Sequence, residues 1–286
     1  MVSQEAMIAD AERPIPARVA IAAAPNGGRK SRRDHPRIPL TAPELARTAA
    51  ECLAAGAAMM HFHVRDSAGR HLLDADAYRR ATVAIRRQVG QALVLQISSE
   101  ALGEYSVSAQ MAVIRAVRPE AVSLALREFA PASRQEPAFA RFLRWMRREA
   151  IAPQIILYSP AELHRFAELK QRGFLPWAEV PVIFVLGRYD DPVSTPAALL
   201  PFLAESPLLF GQWMACAFGG RETACLTTAA LLGGDVRVGF ENSLVRPSGV
   251  PASSNAAQVA SLSRLLRAAG LNLMTGPQLR ARWSNL

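Results

Sequence analysis

The chain has 286 residues, half of them hydrophobic, with 33 basic against 24 acidic side chains for a formal net charge of +9. That is enough to bury a large core, no apolar run approaches the length that spans a bilayer, and the odd trio Cys52, Cys216 and Cys225, without CxxC spacing, argues against a disulfide framework or a thiolate zinc site. The positive charge is nearly all arginine and is spread over helix faces, with lysine only at 30 and 170 and one denser patch at Arg29–Arg33; this favours an anionic small-molecule substrate over nucleic acid or membrane.

Residues 1–18 carry acids and prolines rather than a basic-then-apolar signal, so they read as a short mobile leader on a cytoplasmic protein. Beyond them, β-rich runs at 19–25, 59–65, 93–99, 121–127, 154–159, 180–186, 208–217 and 236–241 alternate with amphipathic patterns. The latter fall near 41–56, 74–89, 105–117, 135–149, 160–172, 195–204, 220–232 and 255–269. Thr41 and Asp74 stand where N-caps belong, while Ser159-Pro160 and Ser194-Thr195-Pro196 read as helix starts with an early proline. Eight strands each followed by a helix, at a repeat of roughly 35 residues and with no Gly-rich linker, predict one (β/α)₈ barrel over 19–286. A doubly wound sheet is the alternative, but no GxGxxG follows the first strand.

Barrels of this kind place their chemistry at the C-terminal ends of the strands. His61-Phe62-His63-Val64-Arg65-Asp66 closes the second strand, and histidines at i and i+2 share one face there. That spacing suits two ligands of one metal ion, or else a half-buried structural pair. On the eighth strand Arg237, Gly239 and Glu241 share one parity, and closure of the barrel sets this strand two places from the histidines. Two histidines, one glutamate and an open position form a catalytic metal donor set. Strand one ends in Pro25-Asn26-Gly27-Gly28-Arg29: the glycines allow tight turning, and Arg29 is placed to clamp a carboxylate over the mouth or to stand in solvent. Ser98 and Ser99 close strand three, to bind a carbonyl or carboxylate or to cap the next helix. Arg127 and Glu128 end strand four, paired with each other or facing substrate. Gly219-Gly220-Arg221-Glu222 opens a helix whose N-terminus suits a phosphate.

These segments resemble the β-keto acid cleavage enzymes. The resemblance runs from Val19 to about Arg282 and rests on Ala24-Pro25-Asn26-Gly27-Gly28 with Pro36, Pro39, Leu40 and Thr41. It continues in Ala55-Gly56-Ala57 ahead of His61–Asp66 and in Gly233–Asn242; the HxHVRD and GGxVRVGxE segments together are highly specific. The resemblance implies a Zn²⁺ or similar divalent metal on His61, His63 and Glu241. It implies a β-keto acid held there through keto and carboxylate oxygens, and acetyl-CoA as co-substrate. A retro-Claisen-like exchange then releases acetoacetate and the CoA thioester of the remaining fragment. Arg237 matches the family's catalytic arginine, Ser98 or Ser99 its substrate-binding hydroxyl, and Asn26 and Arg29 join the substrate-binding set. A homotetramer is implied as well.

Two departures stand out. Many members carry Asp at Asn242, where it partners the arginine and assists proton transfer; Asn is no base at neutral pH, so Glu128 becomes the candidate. Arg29 replaces a glutamate that binds the ammonium end of amino substrates, and the reversed charge predicts a β-keto acid with a neutral or anionic tail. The rival readings are a metal-dependent barrel hydrolase and a catalytically impaired ligand-binding barrel. The first needs further ligands, yet His35, His71 and His164 end no predicted strand; the second is suggested by Asn242.

Overall fold

The computed structural model describes residues 18–188, 194–204 and 211–284, so the expected leader lies, apart from Arg18, outside the described residues. Eight parallel strands form the predicted closed barrel: β1 (Ile21–Ala23), β2 (Met59–Phe62), β3 (Val94–Ser98), β4 (Ala121–Ala125), β5 (Ala152–Leu157), β6 (Val182–Leu186), β7 (Trp213–Ala217) and β8 (Asp235–Val238). They pair in sequence order, and β8 closes the ring against β1 with Arg237 opposite Ala22. The main helices are α1 (Ala42–Ala54), α2 (Ala75–Val89), α3 (Val107–Val117), α4 (Glu136–Arg148), α5 (Pro160–Gln171), α6 (Glu222–Leu231), α7 (Asn255–Ala268) and α8 (Gly276–Ser284). None of the described helices is long and apolar enough to cross a membrane.

Local signals account for the helix starts. Glu44 in the first turn of α1 accepts the backbone N–H groups of Leu40 and Thr41 at 3.0 Å each, and Asp74 caps α2 by accepting from Ala77 at 2.7 Å. Ser159 caps α5 ahead of Pro160. Each helix then turns an apolar stripe to the sheet; in α1 it is Leu45, Ala46, Ala49 and Cys52.

Inside the barrel, side-chain character changes with height. Near the floor, Ala20, Met59, Val94, Ala121, Ile183 and Met214 form an apolar layer, plugged from below by Leu279 and Trp283 of α8. One step up at the same parity stand His61, Gln96, Ser123 and Gln154, all buried. Helix α8, which hydrophobic periodicity did not reveal, is tied to the floor by ion pairs of Arg280 with Glu120 and of Arg282 with Asp235.

Several strands stop earlier than the sequence pattern indicates. β2 ends at Phe62, and Val64–Arg65 leave the barrel to pair antiparallel with His71–Leu72. β4 ends at Ala125; Leu126–Phe129 is one helical turn, so Arg127 and Glu128 point apart and Arg127 pairs with Glu162 at 2.9 Å rather than with Glu128. β8 ends at Val238, short of Glu241. The β1 pattern divides, because Arg18–Val19 pair with Asn272–Leu273 outside the barrel. The expected sixth helix is a 3₁₀ turn at Pro196–Leu199 plus one α-turn at Leu200–Leu203, and the first part of the seventh strand pattern, 208–210, lies outside the described residues.

Since Trp283 fills the floor of the barrel, Trp283→Ala leaves a void that neighbouring strands, fixed by their ladders, do not close. Urea unfolding is expected to show a loss of about 3–5 kcal/mol.

Candidate functional site

The two histidines and Glu241 converge although they do not all lie on strands. His61 Nε2 is 3.6 Å and His63 Nε2 3.7 Å from the same oxygen, Glu241 Oε2. One donor atom from each residue lies within 4.8 Å of the others, and all three residues are buried. Four-coordinate zinc with bonds near 2.05 Å sets neighbouring donors about 3.3 Å apart, so the observed spacing needs only small closure. Glu241 Oε2 and both ring nitrogens of His63 have no hydrogen-bond partner, which buried polar atoms rarely tolerate. The donor set therefore fits a divalent cation of the zinc type.

Gln96, one strand over, prepares His61 for this role. Its amide oxygen lies 2.9 Å from His61 Nδ1 and its amide nitrogen donates to Gln154 at 3.1 Å. The acceptor at Nδ1 fixes the proton there and turns the Nε2 lone pair toward Glu241. Burial takes His61 down to about 4, helped by the Arg237 charge and opposed by Glu241. Burial also holds His63 well below the usual histidine range. Both imidazoles are neutral at pH 7, the form that ligates.

Glu241 reaches the site on a turn. After Val238 the chain passes through Gly239 at φ +150°, where a Cβ would stand 2.3 Å from the Ala24 carbonyl oxygen, so only glycine fits. Four groups from other elements then hold the turn's backbone. Glu222 accepts from the Gly239 N–H at 3.3 Å, Asn255 from Phe240 at 2.8 Å and the Ala24 carbonyl from Glu241 at 3.0 Å. Lys30 Nζ donates to the carbonyls of Phe240 and Glu241 at 2.9 Å each. Glu222, in the first turn of α6, thus spends its carboxylate on the turn after β8. Arg237 Nη2 completes the group, donating to Glu241 Oε1 at 3.1 Å and to Cys216 Sγ at 3.3 Å.

A cavity of about 340 Å³ opens above these residues at the C-terminal mouth. Arg29, Ser98, Ser99, Glu100, Arg127, Glu128, Tyr158 and Arg188 line it together with His61, His63, Arg237 and Glu241. Ser99 spends its hydroxyl on the Ser123 carbonyl at 2.6 Å, whereas Ser98 Oγ accepts from Glu100 N–H at 3.1 Å and keeps its proton to donate. Glu128 accepts from Gln110 at 2.6 Å, and burial raises its pKa. Burial also pushes Glu100 up to about 8, with the charges of Glu241 and Glu128 acting the same way against Arg29 and Arg237. Arg127 lies flat over the Tyr158 ring, 3.4 Å from its centroid.

Asn26 and Asn242 sit differently from the sequence expectation. Asn26 is buried and does not line the cavity: its amide bonds the backbone of His63 at both ends and the Pro39 carbonyl, so it fixes a metal-donor residue instead of meeting substrate. Asn242 is also outside the cavity wall, and its buried side-chain amide has no hydrogen-bond partner. Sequence reasoning passed over Gln96, Glu100 and Lys30. Gln96 did carry a signal, as the lone polar residue in the run Leu93–Ile97, and Lys30 is one of only two lysines.

The sequence profile of the beta-keto acid cleavage enzymes matches residues 18–284. The chain belongs to this family. Among curated relatives, this beta-keto acid cleavage family member is 25% identical over 265 residues to the 3-keto-5-aminohexanoate cleavage enzyme of Fusobacterium nucleatum, covering 91% of the chain and 95% of the relative. It is 24% identical over 268 residues to the 3-oxoadipate:acetyl-CoA acetyltransferase of Cupriavidus necator, covering 91% and 93%. Among solved structures, the apo structure of ObcA matches with a TM-score of 0.69 at 20% identity over 87% of this chain, which spans 65% of the ObcA chain. A type I 3-dehydroquinate dehydratase from Clostridium difficile matches with a TM-score of 0.58 at 8% identity, covering 88% of this chain and 92% of that one. Both likenesses speak to the barrel.

Removing the ammonium that holds two turn carbonyls tests how far Glu241 depends on it. Lys30→Met is expected to cost roughly 2 kcal/mol in urea unfolding. Chelator competition is expected to show divalent-metal affinity weakened by about tenfold or more; unchanged affinity would free Glu241 from the Lys30 contact.

Proposed function

We propose that this barrel is a divalent-metal enzyme that exchanges the acyl group of a β-keto acid with acetyl-CoA, releasing acetoacetate and a new acyl-CoA. The observation that carries the reading is the buried convergence of His61, His63 and Glu241, with Arg237 bonded to Glu241, inside a chain of the beta-keto acid cleavage family. The metal, when bound, supplies Lewis acidity at the β-carbonyl and charge stabilisation for the enolate that C–C cleavage leaves behind. Arg237 holds a fixed positive charge beside the reacting oxygens, buried where it counts for more than in water. Ser98 donates its free hydroxyl proton to the substrate, and Arg29 clamps a carboxylate at the mouth.

Proton transfer falls to Glu128. It faces the cavity, burial raises its pKa above the ordinary carboxylate value, and Gln110 orients it. Asn242 has neither the chemistry nor the placement for this task.

The substrate bears a neutral or anionic tail. Arg29, Arg127 and Arg188 all line the cavity beyond the metal donors, which suits a second carboxylate. Support comes from the Cupriavidus necator relative, whose name specifies 3-oxoadipate. The hydrolase reading fares worse: among the described residues one donor group has metal geometry, and His35 and His71 bond the carbonyls of Ala252 and Glu100.

Metal analysis combined with turnover of a β-keto acid panel tests the whole reading. The expected result is about one divalent ion per chain and acetoacetate release that requires acetyl-CoA, faster with dicarboxylic than with amino-bearing acids. Cleavage without CoA would support the hydrolase, and equal turnover of the amino acid substrate would remove the assignment to Arg29. For the proton path, Glu128→Gln is expected to lower kcat by about 10²–10⁴ with KM and metal content little changed.

A further inference from the structure

Beside the catalytic cavity lies a groove of about 570 Å³, set between the turn that follows β1 and the ribbon turn at 66–70. The two spaces share Arg29 and Leu102 in their walls, so a ligand extending from one to the other passes over these side chains. Leu102 holds φ +50°, a left-handed conformation that a bulky residue adopts only where its surroundings enforce it. Its side chain presses on Gly28, where a Cβ would lie 2.9 Å from Leu102 Cδ1.

The groove is basic and its walls are fixed. Arg29, Arg33 and Arg70 are exposed in its lining and Arg65 lies buried behind them; Glu104 is the carboxylate in the lining, and Asp66 beside it holds Arg70 Nε at 2.8 Å, leaving the Arg70 Nη groups turned outward for a ligand to engage. Arg65 ties the two walls, donating to the carbonyl of Gly69 on one side and to those of Lys30 and Gly27 on the other. Asp66 closes the ribbon turn by accepting the backbone N–H groups of Ala68 and Arg70 at 2.9 Å each. The guanidiniums are thus carried on a braced backbone, and Arg33, a member of the dense basic patch, has no part in the catalytic chemistry.

We propose that this groove binds the phosphate-bearing end of the CoA thioester, whose acyl end passes over Leu102 into the cavity. The inference rests on the acetyl-CoA reading above. Guanidiniums grip phosphate oxygens in bidentate pairs, and a phosphomonoester carries about −1.5 to −2 charges at neutral pH. A thioester without phosphates finds no matching partner here.

The test compares binding of CoA, 3′-dephospho-CoA and pantetheine to the full-length, metal-loaded protein and to an Arg33→Ala/Arg70→Ala double variant. CoA affinity is expected to fall about tenfold or more in the double variant, dephospho-CoA less, and pantetheine by under about twofold. In the wild type, salt weakens CoA binding more steeply than in the variant. In steady-state assays the KM for acetyl-CoA rises while that for the β-keto acid holds. Unchanged CoA affinity in the variant, or an equal loss for pantetheine, overturns the groove assignment and leaves the acyl exchange standing. If the wild type binds no CoA at all, the acetyl-CoA reading falls and takes the groove with it.

Discussion

The site depends on a break in the last strand. If β8 continued past Val238, its hydrogen-bonded ladder would carry Glu241 along the barrel wall. Gly239 instead bends the chain, and the turn it starts is gripped by Lys30, Glu222, Asn255 and the Ala24 carbonyl. These partners come from the connection after β1 and from the first turns of α6 and α7. Ring closure between β8 and β1 is what brings Ala24 and Lys30 within reach of residues some 210 positions later. The donor triad is therefore a consequence of barrel closure: an open sheet of the same strands would lack the clamp.

That dependence decides how much was readable beforehand. The histidine pair and Glu241 were legible because a period of two and the order of strands in a barrel are properties of local sequence and topology. The prediction reached Glu241 by extending strand parity, whereas the structure delivers it by a turn; both routes point the carboxylate at the axis because Arg237, four residues back, faces it there. The supports were not legible. Lys30 reads as one member of an arginine patch, and Asn26 as an ordinary turn residue, until their backbone acceptors at 240–241 and at 39 and 63 are placed. Pairings to distant main-chain groups leave no periodic trace. Arg127 and Glu128 were legible only as alternatives, a mutual pair or two cavity groups: the helical turn Leu126–Phe129 points them apart, and both line the cavity, with Arg127 held by Glu162 of α5 and Glu128 by Gln110.

The vertical grading inside the barrel connects stability to chemistry. The apolar floor, sealed by Trp283, supplies burial; the amides of Gln96 and Gln154 above it are hydrogen-bonded to each other and to His61, so these amides enter the interior as a connected chain. At the top of that chain Glu241 Oε2 and both His63 nitrogens lack a hydrogen-bond partner. Donor atoms left unpaired side by side on a clamped backbone are in place before any ligand arrives, which is the preorganisation electrostatic catalysis requires.

Under the proposed function, Asn242 and Arg29, the two departures that the family resemblance implies, act on the same quantity. Asn242, directly after Glu241, removes a negative charge that an aspartate would bring to the base of the site, and Arg29 replaces a negative charge at the mouth by a positive one. Burial keeps Glu222 and Glu100 from ionising readily, so neither restores the missing charge. Arg237 is left opposed chiefly by Glu241, its bonded partner. The interior field is accordingly more positive from the metal donors to the rim than an aspartate and a glutamate would leave it. An ammonium tail meets repulsion along that path, whereas each additional carboxylate is drawn inward. Under the proposed function, Asn242 and Arg29 thus describe one preference for substrate charge, and Glu128 is the proton acceptor that Asn242 cannot be.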